Sequence, residues 1–431
     1  MELTVFHVLA IAALIVVAAL MIQVLFEPGL RYQIVGELPA ADTREFRNLV
    51  SALVDEPLID ATGVEVLTNG KNFYESELKA ILSARQSIHI EAYIFHRSEV
   101  ADLFIQALEK KSLSGVKVRL VIDAIGSAMT PESYFSQLRK AGGEVMWYQP
   151  IRWGTLKRFN NRTHRELIVI DGAVGFIGGA GVAAWWHRSD DNRPPWRDTM
   201  VRVSGPLAVA MQTSFVENWL ESAGEILAIS HDFPSCLAPF ETPPNSPLDF
   251  GLMVNSSPSA GKATRARMLF QLLIASARKS IKINSPYFLP DRSVQRELAA
   301  AVRRGVTVDV ILPGKLNNHP IARRASRRRY GALLRAGVRL HEYQPSMIHA
   351  KVLIVDQIWS VVGSTNFDNR SFGLNDEVNL AIQGQTLARR LEVDFEADLK
   401  RCLSVTVEVW ERRPVGERIL ATLGVLLERQ Q

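Results

Sequence analysis

The sequence feature that most constrains the fold is a long internal repeat. One copy contains SARQSIHIEAYIFHRSE and the other SARKSIKINSPYFLPDR. Each copy later reaches a segment centred on a histidine, NRTHRELIVIDGAVGFIGGAG in the first and MIHAKVLIVDQIWSVVGSTN in the second. The offset between the copies is 193 residues at Ser87 and Ser280, and 185 residues at His164 and His349. A register held over this length indicates duplication of one structural unit.

Both copies alternate helical patterns with apolar strand patterns. VKVRLVIDA starts at Val116 in the first copy, and VTVDVILPG starts at Val306 in the second. Such alternation predicts an α/β fold whose sheets are covered on both faces. We therefore predict two tandem α/β sandwich halves, 61–240 and 241–431, joined by a Pro- and Ser-rich segment. Residues 28–60 are predicted to be a linker.

The N-terminus carries a long apolar run. Residues 5–26 are 22 residues without a formal charge, and about 20 apolar residues cross a bilayer as a helix. Glu2 is the only charged side chain before the run, so the basic start of a signal peptide is missing. We predict that residues 1–27 are a membrane anchor, with a buried core helix as the alternative. The arginines that follow the run favour a cytoplasmic catalytic body; they are Arg31, Arg44 and Arg47.

Composition limits the class of partner without choosing it. The 431 residues are 47% hydrophobic and 22% charged, which argues against bulk disorder. A net charge of +5 suits anionic partners, either lipid head groups or nucleic acid. The two cysteines, Cys236 and Cys402, are far apart and form no metal-type cluster. No metal or other cofactor is predicted.

The second copy brings together groups that bind and attack a phosphate. His349 and Lys351 project from one face of a strand, because side chains alternate along it. Ser364 and Asn366 do the same on the next strand, and Gly363 lets a substrate approach the backbone. An imidazole is a nucleophile or an acid/base, and Lys and Asn donate to phosphate oxygens. A strand with one satisfied histidine and one snorkelling lysine is the alternative.

The second copy resembles the phospholipase D superfamily through the pattern H-x-K-x4-D-x6-G-S-x-N. The matching residues are His349, Lys351, Asp356, Gly363, Ser364 and Asn366. WRDTMVRVSGP at Trp196 and NFDNRSFGLNDEVNL at Asn366 resemble the bacterial cardiolipin synthase branch, as does the N-terminal apolar run. The resemblance covers about residues 60–431.

The resemblance implies a fold of two phospholipase D-type halves and a two-step exchange at a phosphodiester. One histidine would attack phosphorus and form a phosphohistidine, and the other would protonate the leaving alcohol. A carboxylate downstream of each motif would orient its histidine, Glu377 for His349 and Asp198 for His164. The implied catalytic residues are His164, His349, Lys351, Asp356, Asp171, Glu377 and Asp198. The implied phosphate-binding residues are Ser364, Asn366, Glu166, Gly363 and Arg197.

The first copy departs from the pattern. His164 and Asp171 are retained, but Glu166 replaces the lysine, and Gly179 and Gly181 replace the serine and asparagine. A carboxylate beside a phosphate repels it unless the carboxylate is protonated or paired. In one interpretation His164 still acts and a nearby arginine supplies the cation, with Glu166 in an ion pair. The candidates are Arg162, Arg165 and Arg197. In the other, the first half is impaired.

These observations favour a membrane-anchored phosphatidyltransferase of the inner membrane. It would join two phosphatidylglycerols into cardiolipin and release glycerol, with no nucleic acid as partner. One alternative is a hydrolase of the same superfamily, either a phosphatidate-releasing phospholipase D or a nuclease. A further alternative is a lipid-binding protein with an impaired first half. A requirement for an alcohol acceptor separates transferase from hydrolase. Which histidine attacks, the acceptor alcohol and the oligomeric state stay open.

Overall fold

Two β-sheets form the framework of this computed structural model. It describes residues 5, 7–8, 10–16, 33–61, 63–152, 158, 160–188, 194–227, 249–258 and 263–413. The strands are β1 Ile59–Asp60, β2 Glu65–Thr68, β3 Ser87–Ala92, β4 Lys117–Asp123, β5 Glu144–Tyr148, β6 Arg162–Thr163, β7 Leu167–Ile170, β8 Val174–Gly178, β9 Thr199–Ser204, β10 Phe250–Ser256, β11 Ser280–Asn284, β12 Thr307–Pro313, β13 Arg339–Tyr343, β14 Val352–Val355, β15 Trp359–Gly363, β16 Asn375–Gln383 and β17 Cys402–Val405.

Helices cover the sheets and connect the strands. They are α1 Arg44–Val54, α2 Asn69–Ser83, α3 Glu99–Leu113, α4 Ser136–Lys140, α5 Ala184–His187, α6 Pro206–Ala223, α7 Arg265–Ser276, α8 Arg292–Arg303, α9 Pro320–Arg335, α10 Gln385–Leu399 and α11 Val407–Glu411. A 3-10 turn, Glu132–Phe135, precedes α4.

The two sheets have the same strand order. The first runs β2-β9-β8-β7-β3-β4-β5, and the second contains β10-β16-β15-β14-β11-β12-β13 in the corresponding positions. In each, three strands are parallel and the others pair antiparallel. β1 and β17 extend the edges of the second sheet, and β6 pairs with β16. The predicted α/β class is confirmed, and the shared order supports duplication, while the half boundaries stay predictions.

The sheets pack against each other through a shared core. In β4, Val121 lies in this core, whereas its neighbours Leu120 and Ile122 face the outer core of the first half. β14 divides in the same way, with Ile354 in the shared core and Leu353 in the outer core of the second half. Strand alternation therefore buries both faces of each sheet. Helices α6 and α10 complete the shared core.

The stretch 28–60 was predicted to be a linker, and for its described residues this is wrong. It contains α1, whose Phe46, Val50 and Val54 are buried in the outer core of the second half. The spacing of four residues places these side chains on one helical face. Thr43 caps the helix by accepting a hydrogen bond from the Phe46 backbone N–H at 3.2 Å. The segment is thus an additional layer on the second half.

Only part of the predicted membrane anchor is described. Residues 5, 7–8 and 10–16 are helical and exposed. Among the described residues, no helix combines the length and the apolar character needed to span a bilayer. The remainder of the predicted anchor lies outside the described residues, as does most of the Pro- and Ser-rich join between the halves.

Candidate active site

The two histidine segments meet across a pseudo-two-fold relation between the halves. The His164 backbone N–H donates to the Asp376 carbonyl at 2.9 Å, and the His349 N–H donates to the Arg197 carbonyl at 2.7 Å. Thr163 pairs with Asp376 in a parallel register, and Ile348 pairs with Arg197 in the same way. Each half therefore holds the histidine segment of the other through its own backbone.

These backbone pairs bring each histidine to a carboxylate of the opposite half. His349 Nδ1 lies 2.9 Å from Asp198 Oδ2, and His164 Nδ1 lies 3.1 Å from Glu377 Oε2. The predicted pairing of Glu377 with His349 and of Asp198 with His164 is wrong. The physical reason is the backbone pairing between the halves. Arg197 lies beside Ile348, and Asp376 lies beside Thr163, so the next residue of each half, Asp198 or Glu377, meets the histidine of the other half. All four residues nevertheless belong to one site.

Lys351 lies at the centre of the site. Its Nζ is 3.0 Å from Nδ1 and 3.2 Å from Nε2 of His349. Burial and the Lys351 charge lower the pKa of His349 to about 4, although the hydrogen bond with Asp198 raises it. Burial lowers the pKa of Lys351 to about 8, although the surrounding carboxylates raise it. At neutral pH the site thus pairs a neutral imidazole with an ammonium.

Both carboxylates are buried and held by several donors. Asp198 Oδ1 accepts from the Thr199 N–H at 2.8 Å, and Asp198 Oδ2 accepts from Trp186 Nε1 at 2.9 Å. Burial would raise the pKa of Asp198, but the hydrogen bond with His349 and nearby positive charge lower it overall. The pKa of Glu377 is likewise lowered, because contacts with His164 and two serines outweigh burial. Both groups are therefore ionised orienting partners.

Gly363 ends β15, Ser364 and Asn366 follow it, and all three are buried. The Ser364 hydroxyl donates to Glu377 Oε2, which ties the serine to the His164 side of the site. Asn366 is 3% exposed, and its Oδ1 has no hydrogen-bond partner in the described part of the chain. A side chain at Gly363 would collide with the Val378 carbonyl, so this position requires glycine. The unpartnered Asn366 Oδ1 is an acceptor that a donor group of a ligand could satisfy.

The three replacements in the first copy fit one another. Glu166 is buried, and its Oε1 accepts from the Ile94 N–H at 3.2 Å. A Cβ at Gly181 would lie 2.8 Å from that oxygen, and a Cβ at Gly179 would lie 3.0 Å from Lys351 Nζ. Burial raises the pKa of Glu166 well above its ordinary value, although the Lys351 charge opposes this. The glycines thus leave room for Glu166 and for the ammonium of the second half.

The arginines proposed as replacement cations are engaged elsewhere. Arg162 Nη2 donates to the Gln149 carbonyl at 2.7 Å, and Arg165 Nη2 lies 2.9 Å from Glu217. Arg197 contacts Asp398 at 2.9 Å and also donates to the Asp198 carbonyl and the Thr199 hydroxyl. The prediction that Arg197 binds phosphate is therefore corrected. The hydrogen-bonding groups of its buried guanidinium hold β9 against α10.

The motif aspartates have a structural role instead of the predicted catalytic one. Asp356 accepts the backbone N–H groups of residues 278–280 at 2.7–2.8 Å. Asp171 accepts those of residues 85–87, the shortest at 2.7 Å. Each aspartate follows the far end of the strand that the histidine precedes, with φ of 55° and 52°. Asp356 and Asp171 therefore fix the turns that start β11 and β3.

Aromatic rings surround the two imidazoles. Trp186 and Trp196 lie 5.4 and 5.5 Å from the His349 ring, measured between ring centroids. Tyr93 lies 5.1 Å from the His164 ring. Trp186 is buried, and its hydrogen bond to Asp198 was not predicted from the sequence. The position of Tyr93 at the end of β3, where parallel strands terminate, was the available signal.

No metal centre is formed by the residues that the structure describes. No group of three or more His, Cys, Asp or Glu side chains among them has an arrangement that would hold a metal ion. The polar groups present are instead nitrogen donors and acceptors suited to a phosphoryl group.

Comparisons with known proteins identify the family of the chain. The family described as "Cardiolipin synthase, PLD-like domain" matches residues 78–193 and 271–399, which lie in the two repeat copies. A cardiolipin synthase of Geobacillus sp. (strain WCH70) is 32% identical over 401 residues, covering 93% of this chain and 78% of the relative. Cardiolipin synthase A of Pseudomonas putida is 35% identical over 353 residues, covering 82% of this chain and 71% of the relative.

A solved structure supports the fold. The crystal structure of phosphatidylserine synthase from Haemophilus influenzae Rd KW20 superposes with a TM-score of 0.68 at 16% identity, covering 89% of this chain and 99% of that chain. At this identity the likeness concerns the fold alone. On the family match and the identity with the two curated relatives, the chain belongs to the cardiolipin synthase family of phospholipase D-like proteins.

Proposed function

We propose that this phosphatidyltransferase of the phospholipase D superfamily joins two phosphatidylglycerols into cardiolipin and glycerol. The observation that carries the proposal is the reciprocal arrangement of His349 with Asp198 and of His164 with Glu377. Two oriented imidazoles at one site suit a double displacement at phosphorus. The similarity to cardiolipin synthases over most of the chain supports this reaction over other exchanges.

In the first step, His349 is the proposed nucleophile. It is neutral at neutral pH, and its Nδ1 is engaged with Asp198, so Nε2 would attack phosphorus. The new P–N bond forms while the P–O bond to the glycerol head group breaks. His164 gives its proton to the departing glycerol oxygen and is held in position by Glu377. A phosphatidyl group remains on His349.

In the second step, the roles of the imidazoles reverse. His164 takes the proton from a hydroxyl of a second phosphatidylglycerol, and that oxygen attacks phosphorus. The P–N bond breaks, and cardiolipin leaves with a neutral His349. This order returns both histidines to their initial protonation states.

Lys351 and Asn366 are proposed to bind the non-bridging phosphate oxygens. Lys351 supplies the ammonium, and Asn366, which is buried, would donate from its side-chain NH2 group. Glu166 is proposed to remain protonated beside Lys351, because burial raises its pKa well above the ordinary value. The ionised Asp198 and Glu377 then supply the counter-charge of Lys351. A protonated carboxyl in this position does not repel the phosphate.

We further propose that residues 5–26 anchor the chain in the inner membrane with a cytoplasmic catalytic body. The uncharged length of this run and the arginines after it support the proposal. The boundaries of the two halves near residues 60 and 240 are proposed on the basis of the repeat.

The test is product analysis with purified full-length protein and phosphatidylglycerol vesicles. Cardiolipin and glycerol in equal amounts are expected from the wild type, measured by mass spectrometry. His164→Ala should form no cardiolipin from phosphatidylglycerol, because the departing glycerol lacks its acid. With a phosphatidyl nitrophenyl ester, whose leaving group departs without an acid, the same variant should accumulate a phosphatidyl adduct on His349, because the second step lacks its base. Phosphatidate as the only product would replace the transferase by a hydrolase. An adduct found on His164 in the His349→Ala variant would reverse the proposed roles of the histidines.

A further inference from the structure

Three large apolar side chains are exposed at one edge of the first sheet. Ile125 is 41% exposed, Met129 81% and Ile151 63%. Ile125 and Met129 follow the end of β4, and Ile151 follows the end of β5. β4 and β5 are parallel neighbours, with Asp123 opposite Tyr148, so both connections emerge at the same edge. We call these three residues the apolar rim.

The apolar rim adjoins the active site. His164 precedes β7, whose first residue, Leu167, pairs with Glu91 at the end of β3. The carboxyl ends of the parallel strands and His164 therefore share one edge of the sheet. Gly126, next to Ile125, lies against Tyr93, and the Tyr93 ring is 5.1 Å from the His164 ring. A molecule that covered the rim would also cover the entrance to the histidine pair.

The loop that carries Ile125 and Met129 is braced. The Ser127 hydroxyl donates to the Tyr93 carbonyl at 2.9 Å, and the Thr130 hydroxyl donates to the Phe95 carbonyl at 2.6 Å. Both residues are buried. The two apolar side chains are thus held outward by a loop whose polar groups are satisfied within the protein. Exposing them to water costs free energy that burial in an apolar phase would recover.

The corresponding edge of the second half has a different character. The connection after β12 exposes Lys315, Asn318 and His319, and Arg292 is exposed at the start of α8. We call these four residues the polar rim. An apolar surface beside a polar and basic one matches the interface of an anionic bilayer, where acyl chains lie beside phosphate groups.

We propose that the apolar rim enters the surface of an anionic phospholipid bilayer while the polar rim faces the head groups. The proposal rests on the lipid phosphodiester reaction proposed above and adds the face of the molecule through which the lipid arrives. A diacyl substrate would then reach the histidines while its acyl chains stay in the bilayer. The partner is the lipid surface itself.

The opposite edge of the sheets supplies a matched control. Leu113 is 75% exposed at the end of α3, just before β4 begins, so it lies at the edge away from the histidines. The chain from the N-terminal region also reaches this far edge, because the Ala41 carbonyl accepts from Trp359 Nε1 at 2.8 Å at the start of β15. The far edge is therefore the competing face for membrane contact.

The kinetic test compares Met129→Asp with Leu113→Asp in full-length protein reconstituted into mixed phosphatidylglycerol and phosphatidylcholine vesicles. Met129→Asp should lower turnover at subsaturating lipid by about tenfold or more, since it removes one apolar side chain from the bilayer and adds a charge there. Its turnover of a short-chain phosphatidylglycerol dispersed as monomers should equal that of the wild type. Leu113→Asp should leave both rates unchanged. Equal losses on monomers and vesicles would overturn the proposal.

A second measurement does not depend on activity. Spin labels are placed by Met129→Cys or Leu113→Cys in a background with Cys236→Ser and Cys402→Ser. Oxygen, which concentrates in the bilayer, should collide more with the label at 129, and a water-soluble nickel chelate more with the label at 113. The reverse pattern, or two water-exposed labels, would overturn the proposal.

The two measurements separate failure of the rim from failure of the proposed reaction. A wild type that turns over monomeric phosphatidylglycerol while the label at 129 stays in water would leave the reaction standing and remove the membrane face. If the wild type shows no turnover but the label at 129 lies in the bilayer, the membrane face would stand and the proposed reaction would be removed.

Discussion

The two halves of the molecule carry the same histidine segment just before equivalent strands, β7 and β14, but line it differently. Beside His349, the chain places Lys351, Ser364 and Asn366, all of them polar and buried. At the equivalent positions beside His164 it has one carboxyl group and two glycines. One half therefore supplies the groups suited to a phosphate, and the other supplies a histidine together with glycines that leave room for Lys351 and Glu166. The site is asymmetric in its lining although it is symmetric in its backbone.

The difference teaches that the first half has been repacked around the second. A Cβ at Gly179 would lie 2.9 Å from Asp198 Oδ1 and 3.0 Å from Lys351 Nζ, so a serine there would displace groups that His349 needs. A Cβ at Gly181 would collide with the Ile94 carbonyl and crowd Glu166. The residues at 166, 179 and 181 therefore accommodate one another and the groups of the second half.

The halves also depend on each other for the orientation of their histidines. Asp198 from the first half holds His349, and Glu377 from the second half holds His164. The carboxylate that survives in the altered half is thus required by the intact half. Loss of the first half would disable the second, so the comparison predicts that both histidines are needed.

The largest effect is expected from removing either histidine. His349→Gln and His164→Gln should each lower cardiolipin formation on the order of 10⁴-fold or more, since nucleophilic and acid–base steps both fail. The measurement is the initial rate on phosphatidylglycerol vesicles, with the exposed His187→Gln as control. A His164→Gln variant that keeps most of its activity would show that the first half is impaired and would break the comparison.

A smaller loss is expected from the exchanged carboxylates. Asp198→Asn and Glu377→Gln should each lower the rate on the order of 10²-fold, because an imidazole then loses its orienting partner. Asp198 raises the pKa of His349, so Asp198→Asn should shift that pKa further below its wild-type value of about 4. Nitrogen NMR of isotope-labelled histidine tests this.

The same spectra test the exchange of partners between the halves. Asp198→Asn should alter the ring signals of His349 and leave those of His164 in place, and Glu377→Gln should do the reverse. Changes confined to the histidine of the same half would contradict the pairing across the halves.

A small effect is expected from Glu166→Gln. If charged Lys351 is needed, wild-type activity falls as the pH rises through about 8, where this lysine loses its proton. Burial raises the pKa of Glu166 well above its ordinary value, so Glu166→Gln replaces one neutral group by another and should leave the neutral rate and the alkaline limb of the rate profile nearly unchanged. A limb moved to lower pH would show that Glu166 is charged and acts as a counter-charge of Lys351.

Glu166→Lys sharpens the same comparison. It restores the residue of the second copy but places two ammonium groups beside one another in a buried site. Its activity should fall below that of Glu166→Gln at every pH, as measured in the same assay. A gain of activity would show that a lysine at position 166 is functional and that the first half is impaired by its loss.

Much of the site was predictable because it is encoded locally. The spacing of two residues places His349 and Lys351 together, although they lie just before β14 and not within a strand, and Ser364 and Asn366 follow the neighbouring strand β15. The repeat likewise predicted two α/β halves, because the same pattern of helices and strands occurs twice. These inferences need only periodicity and spacing within one copy.

The parts that failed depend on contacts between segments far apart in the chain. The carboxylate of each histidine was assigned within its own half, whereas parallel pairing of residues 162–163 with 375–376 exchanges the partners. Arg197 was a candidate for the cation that the first copy lacks, but α10 supplies the acids that engage it. α1 was missed because its apolar residues were read as part of a linker. No local pattern reports which distant element a side chain will meet.

The smallest effect on catalysis is expected at the motif aspartates, where the two halves are alike. Asp171 and Asp356 each accept three consecutive backbone N–H groups at the start of a central strand. Asp356→Asn replaces one acceptor oxygen by a donor and should lower the free energy of unfolding by about 1–3 kcal/mol. The turnover of each folded molecule should stay unchanged, because neither aspartate faces the histidines.

Thermal unfolding and active-site titration of the same sample separate stability from turnover, with the exposed Asp42→Asn as control. Asp171→Asn should behave like Asp356→Asn, since both hold equivalent turns. If Asp356→Asn lowered the turnover of folded molecules while Asp171→Asn did not, Asp356 would contribute to catalysis in a way that Asp171 does not, although both hold equivalent turns. If both variants lower only stability, the aspartates belong to the framework that the two halves share, and the functional difference between the halves rests on residues 166, 179 and 181.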